Sequence, residues 1–371
     1  MHGLMPCCSG NVLAPSFEPA NQHVATQVQV LVFDLVVVDA SSEAWVGDVE
    51  YVVGDICDEE KLTEVFQRFK PDVVYHTASP IHGQISSDPD SVYYKVNVRG
   101  TSAVLSACRK AGITKLVYTS STGVVWTGAD IAGGTEDELS IPSKGYDAYH
   151  HTKALGERLV LAQNGAGADG LQVVILRPCG MIGERDKQLM WRLAKILDDG
   201  QEHIQIGNNT NLVDYLYVGN AAHAHVLAGE SLLQNPTAVA GQVFFITNGS
   251  PMLNWDFNRL VWRELRGDYD ERGESESVGE RRIVKIPRAL AMLMAMIAEF
   301  WSKITGRPTV FTRFSIRFIT GVQWYSIEKA NRVLGYYPQV SLEEGVRRTV
   351  KWWNATGAAQ HNLSLQKNKQ D

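Results

Sequence analysis

Short apolar runs alternate with segments of helical spacing over the first half of the chain. Val28–Phe33 and Val49–Val53 are short, mainly apolar runs typical of the strands of a buried parallel sheet, and Leu171–Leu176 predicts a further strand. Glu59–Phe69 and Ser91–Gly112 have helical spacing, and the second ends at a glycine. This alternation predicts a doubly wound α/β sheet. The other elements expected in this half are strands at Val73–Tyr75 and Leu116–Thr119 and a helix at Tyr149–Ala162.

The regular alternation weakens after residue 182. Helices are predicted near 188–199, 219–232 and 287–303, and a strand near 243–247. The stretch Arg266–Arg282 is charged and contains glycine, so we expect an exposed loop. The chain is therefore expected to have four parts: an irregular or disordered segment at 1–27, a core at 28–182, a smaller lobe with returning core segments at 183–357, and a flexible tail at 358–371.

Composition narrows the class of protein. The chain has 371 residues, of which 44% are hydrophobic, enough for one large core or two lobes. The formal net charge is −6 and no polybasic tract occurs, so no nucleic-acid partner is expected. Five cysteines without a CxxC pair indicate reduced thiols and a site that faces the cytosol. Residues 1–27 lack a basic start followed by an apolar stretch, so we expect no cleavable signal peptide.

The longest unbroken apolar run is Ala289–Ala298, which follows Pro287. It is too short to span a bilayer, which needs about 20 residues. One interpretation is a helix buried in the core. The other is a helix at 287–303 that lies against a membrane or lines the entry for an apolar substrate.

The chemistry with the clearest pattern is carried by Tyr149 and Lys153. Residues four apart share one face of a helix, so the ammonium of Lys153 can lower the pKa of the Tyr149 phenol. A tyrosine tuned in this way can move a proton on or off an alcohol near neutral pH. The hydroxyl-rich segment Thr119–Ser121 follows an apolar run, at the place where a parallel strand ends.

Eight short motifs then occur in an order that resembles one superfamily. They are Val32-Phe33-Asp34, Gly54-Asp55-Ile56, His76-Thr77-Ala78-Ser79, Asn97-Val98-Arg99-Gly100-Thr101, Tyr118-Thr119-Ser120-Ser121, Tyr149-x-x-x-Lys153, Arg177-Pro178 and Asn211–Asn220. The set resembles the extended short-chain dehydrogenases/reductases and, within them, the 3β-hydroxysteroid dehydrogenase family. Among its members it is most similar to those that oxidise and decarboxylate sterol 4α-carboxylates. The fold implied is a Rossmann-like parallel sheet at 28–182 with a substrate-binding lobe at 183–357.

The resemblance also implies an activity and its partners. It implies NAD-dependent oxidation of a 3β-hydroxyl on a sterol or triterpenoid, with loss of a C4 carboxylate as CO₂. A homodimer and a place in the cytosol, or on the cytosolic face of the endoplasmic reticulum membrane, are implied as well. Two alternatives stay open: an extended reductase or epimerase that acts on another hydrophobic or sugar-nucleotide alcohol, and a catalytically silent paralogue.

The resemblance assigns the catalytic roles. Tyr149 is the proton acceptor, and Lys153 holds the nicotinamide ribose and tunes Tyr149. Ser121 is the hydroxyl that binds the reacting oxygen, with Ser120 and Thr122 as rivals. Asn97 orders a proton-relay water behind Lys153, or else pairs with a backbone carbonyl.

The cofactor roles fall on other residues. Asp34 ends a strand, where a carboxylate can bind both ribose hydroxyls and repel a 2′-phosphate, which favours NAD over NADP. Asp55 and Ile56 resemble an adenine clamp. Ala78 and Ser79 let the cofactor approach the backbone, and Pro178 shapes the loop against the nicotinamide ring. Three residues resemble a second cofactor- or lobe-anchoring segment, with packing as the other interpretation: Asp214, Tyr217 and Asn220.

The chain departs from the family at the N-terminal side. The family's Gly-rich turn, which brings the pyrophosphate to backbone N–H groups, has no counterpart. Counted back from Asp34, its place falls at Cys7–Leu13, where Gly10 is the one glycine. A truncated or mispredicted gene product, a decayed paralogue and a changed mode of NAD binding are all compatible with this departure.

The histidines are interpreted as structural, and no metal is expected. His150 and His151 lie inside the Tyr149–Lys153 spacing. His223 and His225 are two residues apart on a helix and so face different directions, which is poor geometry for a shared metal.

Overall fold

The computed structural model describes residues 28–36, 46–82, 89–165, 170–186, 188–267, 282–307, 309 and 311–357. The segment at 1–27, including the stretch Cys7–Leu13, lies outside the described residues. So do the tail at 358–371 and most of the loop expected at Arg266–Arg282.

The elements follow the hydrophobic pattern closely. The strands among the described residues are β1 (Val30–Asp34), β2 (Val49–Val53), β3 (Val74–His76), β4 (Lys115–Thr119), β5 (Ile131–Gly134), β6 (Gln172–Pro178), β7 (Gly180–Ile182), β8 (Ile204–Ile206), β9 (Leu212–Val213), β10 (Tyr215–Tyr217), β11 (Gln242–Ile246), β12 (Met252–Leu253), β13 (Val284–Ile286) and β14 (Gln323–Tyr325). The α-helices are α1 (Glu59–Phe69), α2 (Pro89–Tyr94), α3 (Thr101–Ala111), α4 (Ala148–Leu161), α5 (Leu189–Asp198), α6 (Val218–Gln234), α7 (Pro236–Val239), α8 (Asn254–Arg266), α9 (Arg288–Thr305), α10 (Arg313–Thr320), α11 (Glu328–Leu334) and α12 (Leu342–Trp352). Every expected element that lies within the described residues is present.

The central sheet is parallel. Its four strands are ordered β11-β6-β4-β3, so a strand from the second half of the chain returns to the edge of the sheet. In β4, Leu116 and Tyr118 point into an apolar cluster with α1 and α3, while Val117 points into a second cluster with α6. Because successive side chains of a strand face opposite ways, helices cover both faces of the sheet. The predicted doubly wound α/β fold is confirmed.

β1 and β2 form a separate parallel pair, with Val30 opposite Val49. The side chains of Leu31 and Phe33 pack on the same cluster as Leu116. No strand among the described residues joins β1 to β3. Among the described residues, β1 and β2 therefore stand as a pair of their own beside the four-stranded sheet.

The helix expected at Ser91–Gly112 contains an irregular turn. α2 and α3 are joined by a π-helical segment, Lys95–Gly100, and α3 ends at Gly112, whose φ is +70°. A π-helical turn inserts one extra residue and so changes which side chains face inward; such turns are frequent at functional sites. Here the inward side chain is Asn97, which is 1% exposed.

A second sheet and core are built mainly by the second half of the chain, with β5 contributed by the first half. β5, β9, β12 and β14 form a four-stranded sheet in the order β12-β9-β14-β5. α5, α8 and α12 pack into a cluster that includes Trp255, Trp262 and Trp353. Asp214, between β9 and β10, ties this sheet together because its Oδ2 accepts a hydrogen bond from Tyr325 N of β14 at 2.8 Å.

α9 buries small residues and exposes large ones. Ala291 and Ala295 are fully buried against Ile316 of α10. The exposed large apolar residues of α9 are Leu290, Leu293, Met294, Met296, Ile297, Phe300, Trp301 and Ile304. The interpretation of 289–298 as a buried core helix is wrong. Among the described helices, none has the length and apolar character that crossing a membrane requires.

Candidate active site

The Tyr149/Lys153 pair lies on α4, beside the carboxyl end of β4. Asp147 caps the start of the helix, because its Oδ1 accepts a hydrogen bond from His150 N at 2.9 Å. Lys153 is 2% exposed, and its Nζ donates to the carbonyl oxygen of Thr119 at 2.7 Å. Thr119 is the last residue of β4, so this bond fixes the ammonium at the end of the sheet. Tyr149 is half-buried, one turn nearer the start of the helix.

The buried ammonium acts on its neighbours. Nζ of Lys153 lies 5.0 Å from the ring centroid of Tyr118. Burial, and to a lesser extent the charge of Lys153, lowers the pKa of His76 to about 3, so this imidazole is neutral. The neutral ring instead shares a hydrogen bond with Thr101 Oγ1 at 2.9 Å. A fixed positive charge of this kind favours the phenolate of a nearby tyrosine.

Asn97 links three elements through side chains. Its Nδ2 donates to Thr152 Oγ1 of α4, and its Oδ1 accepts from Ser79 Oγ after β3, both at 3.0 Å. The Thr152 hydroxyl donates in turn to the carbonyl of Ala148. The alternative that Asn97 pairs with a backbone carbonyl is therefore wrong. Two predicted residues, Ser79 and Asn97, meet behind the helix that carries Tyr149 and Lys153.

The three candidate hydroxyls have different surroundings. Ser120 is buried and donates to Glu157 Oε2 at 2.5 Å, so its hydroxyl is used inside the protein. Thr122 is also buried. Ser121 is half-buried, and its Oγ accepts from Gly123 N at 3.1 Å, an interaction that leaves the hydroxyl proton for another acceptor. These surroundings favour Ser121 as the hydroxyl for a reacting oxygen.

A buried ion pair under Ser120 was not predicted. Arg177 of β6 donates twice to Glu157 of α4, at 2.6 and 3.1 Å, and Glu157 is fully buried. Two parallel bonds of this type fix the relative position of helix and strand. The sequence signal was present, since Glu157 follows Lys153 by four residues and shares its helix face.

The predicted NAD residues near β1 and β2 are partly engaged with the protein. Asp34 ends β1, and its Oδ1 accepts from Val36 N at 3.4 Å. Asp55 follows β2 and accepts from Lys95 Nζ at 2.8 Å and from Cys57 N at 2.9 Å. Burial raises the pKa of Asp55, but these bonds outweigh it and hold the carboxyl below its usual range.

The predicted adenine clamp and nicotinamide loop have different environments. Ile56 lies close to Gly100, where an added Cβ would be 2.5 Å from Ile56 Cδ1. Ala78 and Ser79 are half-buried at the end of β3. Pro178 ends β6 and is buried. The carboxylate of Asp34 and the small residues after β3 fit a dinucleotide along the carboxyl ends of the strands. The carboxylate of Asp55 is shared with Lys95.

A second polar cluster beside Tyr149 was missed. His82 Nε2 lies 2.9 Å from Asp147 Oδ2, and His150 Nδ1 lies 2.6 Å from Asp147 Oδ1. The ring of His82 is centred 4.9 Å from that of Tyr149. One signal existed, because His82 follows β3 at the same sheet edge as Ser79. The neighbouring His151 is not bound to Asp147. Its Nδ1 accepts a hydrogen bond from Gly145 N.

The predicted anchoring segment binds protein groups. Asp214 is 2% exposed, and its Oδ1 is buried without a hydrogen-bond partner. Burial raises the pKa of Asp214 to about 7, although hydrogen bonds from Tyr325 and Thr247 act in the opposite direction. Tyr217 donates to Glu184 at 3.0 Å, and Asn220 Nδ2 donates to the Val340 carbonyl at 2.7 Å. This segment therefore anchors several parts of the chain to one another.

A parallel sheet wound on both faces, with a tyrosine and a buried lysine four residues apart at the end of a central strand, defines the short-chain dehydrogenase/reductase class. Solved structures support the fold. An epimerase from Methanothermobacter thermautotrophicus has a TM-score of 0.64 at 22% identity, over 89% of this chain and 86% of that one. UDP-glucose 4-epimerase from Thermotoga maritima has a TM-score of 0.63 at 21% identity, over 89% and 92%.

The chain belongs to the 3-beta hydroxysteroid dehydrogenase/isomerase family, whose sequence pattern matches residues 22–274. It is similar to the decarboxylating sterol-4-alpha-carboxylate 3-dehydrogenase of Schizosaccharomyces pombe, with 41% identity over 82% of this chain and 84% of the relative. The Saccharomyces cerevisiae enzyme of the same name is 37% identical over 83% and 84%. The Homo sapiens enzyme is 32% identical over 89% and 84%.

Proposed function

We propose that this protein oxidises the 3β-hydroxyl of a sterol 4α-carboxylate with NAD and releases the C4 carboxylate as CO₂. The observation that carries the proposal is the Lys153 ammonium, fixed to the Thr119 carbonyl one helical turn from Tyr149. The names of relatives at 32–41% identity support the substrate class. Sugar-nucleotide chemistry has weaker support, because the epimerases at 21–22% identity speak for the fold alone.

The residues that would hold the cofactor lie along the ends of the strands. The Asp34 carboxylate would bind the ribose hydroxyls of the adenosine half, and the small residues Ala78 and Ser79 would leave room for the dinucleotide. Lys153 would bind the nicotinamide ribose, and Pro178 would shape the loop that holds the nicotinamide ring. When bound, NAD supplies the acceptor for the hydride that leaves C3.

The side chains at the site handle the proton and the oxygen. Tyr149, as phenolate, takes the proton of the 3-hydroxyl while the hydride leaves. The product is a ketone β to the carboxylate, so the electrons of the breaking C4–carboxylate bond can flow into an enolate. Tyr149 and Ser121 stabilise its oxygen by hydrogen bonds.

An assay of the purified protein with a 4α-carboxy-3β-hydroxysterol and NAD tests the proposal. We expect equal amounts of NADH and of the decarboxylated 3-ketone. A folded sample that forms no NADH contradicts the activity. Calorimetry with NAD then separates the remaining alternatives, since a catalytically silent paralogue gives no binding heat and an oxidoreductase with another substrate still binds NAD.

We propose in addition that α9 lies on a membrane surface, for which the cytosolic face of the endoplasmic reticulum is the expected location. Its exposed apolar residues form one stripe, and basic residues stand at both ends of the helix: Arg288, Lys303 and Arg307. A contiguous exposed apolar stripe of large side chains marks an interaction surface, and flanking cations attract anionic lipid headgroups. The acidic residue Glu299 is turned away and pairs with Arg313 of α10 at 2.7 Å.

A further inference from the structure

Two imidazoles share the carboxylate of Asp147. Each histidine nitrogen lies at hydrogen-bond distance from a different carboxylate oxygen, 2.9 Å for His82 and 2.6 Å for His150. Burial raises the pKa of Asp147, but the bonds from both histidines outweigh it and hold the carboxyl far below its usual range. Asp147 is therefore an anion that lies within hydrogen-bond distance of both rings.

The two rings have different access to the site. His150 is buried, and its Cδ2–Nε2 edge faces Gly123, where an added Cβ would lie 2.3 Å from Cδ2. The side chain of His82 is 31% exposed, and its ring is centred 4.9 Å from that of Tyr149. Its Nε2 is bound to Asp147, which leaves Nδ1 for another partner. His82 is thus the ring that a substrate bound at Tyr149 can reach.

The proposed reaction needs a proton donor at carbon. Tyr149 and Ser121 are assigned to the oxygen on C3, whereas the enolate left by CO₂ must receive a proton on C4, the neighbouring atom. A general acid for this step must lie close to Tyr149 and carry a proton that it can donate to C4.

We propose that His82 protonates C4 after decarboxylation, and that Asp147 is its positioning residue. This proposal rests on the proposed function. The C4–carboxylate bond breaks, its electron pair forms the C3–C4 double bond of the enolate, and CO₂ leaves. The enolate electrons then take the proton from Nδ1 of the His82 imidazolium, which gives the 3-ketone. The neutral imidazole keeps its Nε2 proton on Asp147, and Nδ1 regains a proton from solvent.

The experiment uses a 4α-carboxy-4β-methyl-3β-hydroxysterol with NAD in D₂O. C4 of the product is a stereocentre because it keeps the methyl group, and the hydrogen that C4 receives is labelled as deuterium. We expect a single C4 epimer from the wild-type protein. His82→Gln should give both epimers, because solvent protonates an enolate that has lost its donor. Turnover to the ketone should fall about tenfold or more, since positioned acid–base groups contribute at least that much.

Asp147→Asn separates positioning from a purely structural role. Asparagine caps a helix as well as aspartate does, so the start of the helix is kept, while loss of the charged bonds to His82 and His150 lowers the melting temperature without unfolding the protein at the assay temperature. We expect a lower kcat, an unchanged KM for the sterol and a mixture of epimers. His151→Gln is the matched control on the same helix and should give a single epimer, because glutamine can still accept from Gly145 N.

The outcomes are distinguishable. If the wild type forms NADH and one epimer, and His82→Gln and Asp147→Asn also give one epimer, the role of His82 is overturned while the proposed function stands. If the folded wild type forms no NADH, the proposed function is overturned, and the role of His82 with it.

Discussion

At the scale of single residues, the spacing of the chain identified the groups that one helix or one strand end brings together. The spacing selects Tyr149 and Lys153, and the family resemblance selects Ser121; the structure places Lys153 and Ser121 at the end of β4. His82 was missed, because its contact with Asp147 joins residues 65 apart in sequence. Local periodicity contains no information about such a contact.

The Tyr149/Lys153 pair makes a kinetic prediction. Tyr149→Phe removes the proton acceptor and should lower kcat about 10²–10⁴-fold, with the KM for NAD nearly unchanged. Lys153→Met removes the charge that tunes the phenol and holds the ribose, so it should lower kcat and also raise the Kd for NAD. Steady-state kinetics and calorimetry measure both quantities.

Tyr146→Phe is the matched control for this comparison. It removes a phenol hydroxyl three residues before Tyr149, one that lies 3.4 Å from Arg317. We expect activity close to that of the wild type, because phenylalanine keeps the packing of the ring on Trp126 and Phe314 and removes only the hydroxyl. Equal losses in Tyr146→Phe and Tyr149→Phe would show that Tyr149 has no special role.

At the scale of elements, buried polar residues join separate segments. Asp214 connects β9 and β10 to β14, and Arg177 and Glu157 connect β6 to α4. Hydrogen bonds offset the free-energy cost of burying these polar groups. For Asp214 the offset is incomplete, because its Oδ1 has no hydrogen-bond partner.

Asp214 makes the stability of the protein depend on pH. Its pKa is about 7 in the folded protein against an ordinary value of 3.8, so the folded state holds this proton more tightly than the unfolded state. The contribution of Asp214 to stability is therefore greatest below about pH 4, falls as the pH rises to about 7, and is constant above that. Asp214→Asn removes this titration.

Thermal melting of both proteins between pH 5 and pH 8 measures the effect. We expect the melting temperature of Asp214→Asn, relative to the wild type, to rise from pH 5 to about pH 7 and to level off above that. A constant difference between the two proteins would mean that Asp214 is ionised in the fold at every pH tested.

The exposed face of α9 makes a prediction about lipid binding. Leu293→Glu combined with Ile297→Glu places two charges on the stripe without disturbing Ala291 and Ala295, which pack on α10. Binding to vesicles that contain anionic lipid should fall at least about tenfold, because each apolar side chain contributes about 1.5–3 kcal/mol when buried. Cosedimentation measures the bound fraction.

Leu233→Glu is the control, since Leu233 is 50% exposed on α6, a different helix. It should leave vesicle binding unchanged. If the α9 double variant binds vesicles as tightly as the Leu233 variant, the helix is not the contact with lipid.

At the scale of the whole molecule, the fold was predictable because both faces of the central sheet are buried, which makes its strands readable as continuous apolar runs. The environment of 289–298 was not predictable. A run of apolar residues has the same composition whether small members face the core, as Ala291 and Ala295 do, or large ones face it. The packing of α10 against α9 determines which residues of α9 face the core. This is a tertiary contact, which the apolar run alone does not indicate.

The outward stripe of α9 also has a consequence for enzymology. A catalyst that rests on a bilayer meets a lipophilic reactant by lateral diffusion in the leaflet, with no need for that reactant to pass through water. Its velocity then follows the mole fraction of sterol in the leaflet. At a fixed bulk amount of sterol, added inert phospholipid should slow turnover by surface dilution.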